Sequence, residues 1–152
     1  MARMNYFRAA PKVAKALMAM DEAGKDLSIP VALRELIKMR ASQINGCAYC
    51  LDIHAPAARR AGLSQQKLDV LAAWRESPAF DTRERAALGW TEALTRIEAT
   101  GAPDADYEAL AAVFSEQERA EVTFVITSIN TWNRFAVSFR AVHPIRNEST
   151  ES

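Results

Sequence analysis

The sequence lacks a net charge, a long apolar run and any surplus of cysteine, and each lack excludes something. Lys+Arg and Asp+Glu are both 19 in 152 residues, so there is no concentrated positive surface of the kind nucleic acid selects. A balance near zero also suits a chain whose copies associate. No stretch approaches the ~18 to 20 consecutive apolar residues of a membrane helix. The most apolar run, residues 122–129, is bracketed by Glu121 and Asn130. There is no Gly-rich dinucleotide fingerprint, and no bound cofactor is expected. The first twenty residues carry Arg3, Arg8, Lys12 and Lys15 with no acid and no serine. Lys12 and Lys15 interrupt any secretory apolar core, so this segment reads as an amphipathic helix rather than a targeting peptide. The expected compartment is therefore the cytoplasm. In that reducing setting, two cysteines spaced Cys-x-x-Cys point to catalysis or metal binding rather than a structural staple.

Punctuation divides the chain into helices. Pro11 opens a first helix and Gly24 closes it. Ser28 and Pro30 precede a second, in which Leu36, Ile37 and Ile44 take the buried side. Asn45-Gly46 is a turn signal, after which a helix over residues 47–60 is stopped by Gly62. Ser64 caps a helix over residues 65–74. Asp81 with Glu84, and Ser115 with Glu118, have capping-box spacing for helices over residues 81–99 and 116–142. Between these two, a short helix runs through Tyr107 to Phe114. The β-branched run at residues 122–129 continues into Ile129, Trp132, Phe135, Ala136 and Phe139 at helical spacing, which favours helix over strand. The expectation is an all-α, single-domain bundle of about six or seven helices over residues 1–146, with residues 147–152 as a disordered tail.

The chemistry-bearing segment runs from Glu35 to His54. If a helix starts at Cys47, then Cys50 three residues on and His54 another four share one narrow stripe. The helix N-terminus offers unpaired N–H groups and a positive dipole end, both of which favour thiolate over thiol. An imidazole one turn from Cys50 is placed to accept its proton. Low-pKa thiols with a resolving partner are what thiol redox chemistry needs. Glu35, on the preceding helix, supplies a carboxylate that would orient His54 as the third member of a nucleophile, base and orienter set. The bland reading of Glu35 is a solvated residue on an amphipathic helix.

Glu35, then eleven residues, then Cys47-x-x-Cys50-x-x-x-His54 resembles the core signature of the alkylhydroperoxidase D-like/carboxymuconolactone decarboxylase family. The segment around Asn130, Trp132, Asn133 and Arg134 also resembles the last helix of many members. The resemblance implies an all-α AhpD-like fold, commonly assembled as homotrimers or homohexamers. It implies a thiol-dependent peroxidase in which Cys50 attacks a hydroperoxide and Cys47 resolves it. His54 and Glu35 would relay the proton, and an external dithiol would reduce the disulfide. The sequence departs from the best-known members where they carry a second histidine, immediately before the second cysteine. Here that position is Tyr49, a poor proton exchanger near neutral pH, which predicts weaker peroxidase activity or a different preferred substrate.

Other readings of the same residues remain. The two cysteines can be buried, inert apolar residues, or a redox sensor without catalysis. Cys47, Cys50, His54 and Glu35 also complete a zinc-ligand count. The decarboxylase branch of the family is a further alternative, though that reaction has no need of a dithiol. His143, before Pro144, is placed to cap the last helix. Trp74, Trp90 and Trp132 read as core or subunit interface. Arg134 would bind an anionic substrate or complete an ion pair.

Overall fold

The computed structural model describes residues 1–146; residues 147–152, where a tail was expected, lie outside the described residues. Among the described residues the chain forms nine α-helices, one 3-10 turn and no strand. They are α1 (Tyr6–Ala9), α2 (Pro11–Ala23), α3 (Val31–Ile44), α4 (Ala48–Arg60) and α5 (Gln65–Asp69), followed by the 3-10 turn Leu71–Ala73. Then come α6 (Thr82–Thr95), α7 (Ile97–Thr100), α8 (Asp104–Ala111) and α9 (Glu116–Ser138). None of these helices is long and apolar enough to cross a membrane.

Helix α3 is the hub, packing against α4, α6 and α9. Its Leu33 and Ile37 join Trp90, Leu110, Phe114, Val122 and Ile126 in one buried cluster. One residue round the helix, Leu36 and Met39 join Leu63, Leu68, Leu71, Trp74, Phe80 and Leu88 in a second. A helix that is apolar on several sides must be covered on several sides, and this keeps α3 at the centre. The two capping boxes form as the sequence chemistry predicts. Asp81 and Ser115 accept from the N–H groups of Glu84 and Glu118, whose carboxylates bond back to the cap N–H groups. The run at residues 122–129 lies inside α9 and is helical.

Several boundaries differ from the sequence reading, each for a local reason. The short α1 was not anticipated; Asn5 caps it, accepting from Arg8 N at 3.1 Å. Ser28 lies before α3, which begins at Val31. Its N–H and hydroxyl, with the Ile29 N–H, bind one oxygen of Glu121 on α9 at 2.7–3.1 Å. The helix after Ser64 ends at Asp69 and resumes as the 3-10 turn. The helix expected over residues 81–99 breaks at Arg96 (φ −110°, ψ 37°), where the Thr100 hydroxyl takes over the Ala93 carbonyl at 2.6 Å.

The last helix stops at Ser138, not near Val142. Arg140 adopts φ 52°, and the Ala141 and Arg140 N–H groups bond back to the Ala136 and Val137 carbonyls. This is a Schellman ending with arginine where glycine is usual, so no glycine signals it in the sequence. His143 accordingly lies beyond the helix, with Nδ1 3.1 Å from the Pro144 carbonyl, and does not cap it.

Candidate active site

The turn between α3 and α4 builds the thiol site. Gly46, at φ 64°, ends α3 in a Schellman geometry: the Cys47 N–H bonds to the Ser42 carbonyl at 3.0 Å and the Gly46 N–H to the Gln43 carbonyl at 3.3 Å. A side chain is strained at that φ, so glycine suits the position. The turn delivers Cys47 as the N-cap of α4 rather than its first helical residue. Its sulfur accepts from the Cys50 N–H at 3.3 Å. The two cysteines, with Cα atoms 5.3 Å apart, are joined as a disulfide. That separation falls in the 5 to 6 Å that an i, i+3 pair on a first helical turn predicts.

A polar network underpins the turn. Asn45 Nδ2 donates to Asn130 Oδ1 and Asn133 Oδ1, both at 2.9 Å, and Asn133 Nδ2 donates to Ser42 Oγ at 3.0 Å. Asn133 is 1% exposed. A buried amide left without partners would cost more than the bonds return, so this network holds the α3–α4 turn and α9 in one register. Arg134 is exposed; it donates to the Asn130 carbonyl and Oδ1 and forms no ion pair among the described residues. The signal for this network was present as Asn130 and Asn133, but its partner Asn45 read only as a turn residue.

Glu35 is buried and is not a solvated residue of an amphipathic face. Its Oε2 lies 2.8 Å from His54 Nδ1, and its Oε1 accepts from Lys38 Nζ at 3.0 Å. Burial pushes the Glu35 carboxyl up, but the hydrogen bond and charge of His54, with those of Lys38, outweigh it. The carboxyl is held below its ordinary value. Lys38 went unnoticed in the sequence, although its i+3 spacing from Glu35 was the available signal.

His54 and Cys50 face one cavity of about 270 Å³. Its other walls are Tyr6 and Phe7 of α1, Met18 and Asp21 of α2, Tyr49 and Ile53 of α4, and Trp132 and Ala136 of α9. Cys47 does not line it and is 1% exposed, against 4% for Cys50. The four residues singled out in the sequence thus form two joined pairs on one cavity: two bonded sulfurs, one of them facing it, and an imidazole that lines it and is held by a buried carboxylate. Among the described residues, no group of three or more His, Cys, Asp and Glu side chains is arranged to hold a metal ion.

The carboxymuconolactone decarboxylase family model matches residues 11–93, which include Glu35, both cysteines and His54. The chain belongs to that family. The uncharacterized protein YdfG of Bacillus subtilis is 37% identical over 136 residues, 90% of this chain and 92% of its own. The crystal structure of a protein of unknown function from Agrobacterium tumefaciens, provisionally named as the antioxidant defence protein AhpD, superposes with a TM-score of 0.93. It is 46% identical and the match covers 96% of this chain and all of that one. The debrominase Bmp8 shares the fold at a TM-score of 0.82, covering 91% of this chain and 74% of its own. At 23% identity that likeness concerns the fold alone, and one fold carries many chemistries. The all-α AhpD-like architecture expected from the sequence is thus the one this family member has.

Proposed function

We propose that the protein is a thiol-dependent peroxidase that reduces hydroperoxides through Cys50 and Cys47. One observation carries this reading: of the disulfide pair, Cys50 alone opens on the cavity, and it shares that cavity with the Glu35-held His54. The provisional antioxidant name of the Agrobacterium protein supports it.

In the reduced protein, His54 accepts the Cys50 proton, and the thiolate attacks the terminal peroxide oxygen. The O–O bond breaks, Cys50 becomes a sulfenic acid, and the departing alkoxide takes a proton from the imidazolium to leave as alcohol. The Cys47 thiolate then attacks the Cys50 sulfur. The S–O bond breaks, water leaves with one added proton, and the disulfide closes. An external dithiol supplies two electrons and two protons to reopen it. The α4 N-terminus favours negative charge on Cys47, which suits it as the sulfur released in that reduction. Glu35 fixes the imidazole orientation.

The reading includes assembly as a homotrimer or homohexamer acting in the cytoplasm. Its test is a thiol titration of the reduced protein before and after addition of a hydroperoxide, with metal analysis of the same sample. Loss of both thiols in step, forming an intramolecular disulfide on non-reducing gels, is expected. Stoichiometric zinc held by those thiols, or chain-to-chain crosslinks alone, would overturn the reading.

A further inference from the structure

The carboxylate that holds His54 lines a second cavity, of about 330 Å³, together with its other partner Lys38. Helices α2, α3 and α9 supply the walls, and Asp21 is the residue shared with the Cys50 cavity.

Buried polar side-chain atoms in folded proteins nearly always have a hydrogen-bond partner. Among the described residues two lack one, Arg34 Nε and Ser128 Oγ, and both residues line this cavity. Arg34 comes from α3 and Ser128 from α9, so the two unbonded atoms converge on the cavity from different helices.

Arg34 adds a second observation. Its Nη1 donates to the Gly24 and Lys25 carbonyls at 2.7 and 2.9 Å, just past the end of α2. Its Nε and Nη2 donate to nothing among the described residues. Those two groups form the guanidinium edge that takes a carboxylate through two parallel bonds. Lys25 pairs with Glu22 and Lys38 with Glu35, whereas half-buried Arg34 forms no ion pair among the described residues. Water would satisfy the N–H groups but not the charge.

The walls limit the ligand. Asp21 also forms no ion pair among the described residues, so a doubly charged anion would meet repulsion there. Phe124 and Val125 add apolar surface. We propose that this cavity is a second binding site, for a small monocarboxylate with an apolar body. The Arg34 Nε–Nη2 edge and the Ser128 hydroxyl hold the carboxylate, Lys38 lies beside it, and the body packs on Phe124 and Val125. A carboxylate bound here competes with Glu35 for Lys38, which ties the site to the residue that orients His54. The site does not depend on the peroxidase reading, and its test uses no peroxide.

The test is calorimetric titration of benzoate into the full-length protein in its disulfide form, with benzyl alcohol and inorganic phosphate for comparison. Benzoate should bind at least about tenfold more tightly than either, since it alone pairs one charge with the guanidinium edge and an apolar ring with the wall. Arg34→Lys keeps the charge and loses the fork, and should weaken benzoate at least about fivefold. Ser128→Ala removes a hydroxyl that bonds to nothing among the described residues, so the fold is not at stake. It should weaken benzoate at least about twofold. Glu35→Gln should tighten binding by releasing Lys38. The proposal is overturned by absent benzoate binding, by equal affinity for benzyl alcohol or phosphate, or by an affinity unchanged in both Arg34→Lys and Ser128→Ala. Failure of Glu35→Gln to tighten binding would also overturn it, as would loss of benzoate in Phe7→Ala, which would move the ligand to the Cys50 cavity.

Discussion

His54 Nδ1 stands 2.8 Å from Glu35 Oε2, joining two residues 19 apart in the chain across the α3–α4 turn. The bond fixes the face the imidazole turns to the cavity, and a positioned base of this kind contributes about a hundredfold or more to proton transfer. His54→Ala should therefore slow oxidation of Cys50 by a hydroperoxide at least about tenfold, a conservative bound on that contribution. Stopped-flow thiol loss at neutral pH is the measurement, and an unchanged rate would remove His54 from the mechanism.

The same bond has a signature in acid. The Glu35 carboxyl titrates below its ordinary value of 4.5, so the unfolded chain takes up its proton first as pH falls. The stabilisation is fully present above that ordinary value and is lost as pH falls through the lowered one. Urea unfolding of wild type and Glu35→Gln should show a gap that is constant above the carboxylate range and narrows below it. A gap independent of pH would mean that the ionised carboxylate contributes nothing.

The two cysteines should differ in reactivity once reduced. Cys50 opens on the cavity and Cys47 does not. Limited alkylation with mass spectrometric mapping should label Cys50 first, in line with access controlling thiol chemistry. Dominant labelling of Cys47 would reverse the roles assigned to the pair.

Away from the site, Glu92 of α6 binds three partners. Its Oε1 accepts from Arg40 Nε at 2.9 Å and Trp74 Nε1 at 2.8 Å, and its Oε2 pairs with Arg75. Burial pushes this carboxyl up, but the bonds from Arg75, Trp74 and Arg40 hold it below its ordinary value. Glu92→Gln would leave the Arg40 guanidinium without its charge partner in a nearly buried position. It should cost about 3 kcal/mol, the low end for breaking a buried pair, since Arg75 is solvent-exposed. Equilibrium denaturation gives the number; a loss under about 1 kcal/mol would show that water replaces the carboxylate freely.

Association of copies is the remaining expectation. Phe7, Val13, Met18 and Ile53 are each more than two-fifths exposed, and three of them line the Cys50 cavity. Clustered apolar exposure of this kind is commonly covered by another protein surface. Light scattering at micromolar concentration should give three or six times the 16.8 kDa of one chain. A stable mass near that of a single chain would rule this out.

What the sequence determined by itself is the chemistry of short range. Asp81 with Glu84, Ser115 with Glu118, and the Gly46 and Gly62 stops act through hydrogen bonds within a few residues, so their spacing is their structure. The proximity of Cys47 and Cys50 follows from one helical turn, and the placing of His54 from a second. The stop at Arg140 escaped because arginine there is held in a left-handed conformation by bonds to α9, with no glycine to mark it.

What only the tertiary structure decided is which distant groups meet. Periodicity put Glu35 on a helix but said nothing of the neighbour it would face. Packing α3 at the centre buried it, and a buried carboxylate must find partners, here His54 and Lys38. Asn45 likewise became an anchor only when α9 brought Asn130 and Asn133 to it. Tyr6 and Phe7 became cavity walls only when aromatic contacts laid α1 across α9. Local hydrogen bonding is written in neighbouring residues, whereas burial is a property of the assembled surfaces, and this site is made by burial.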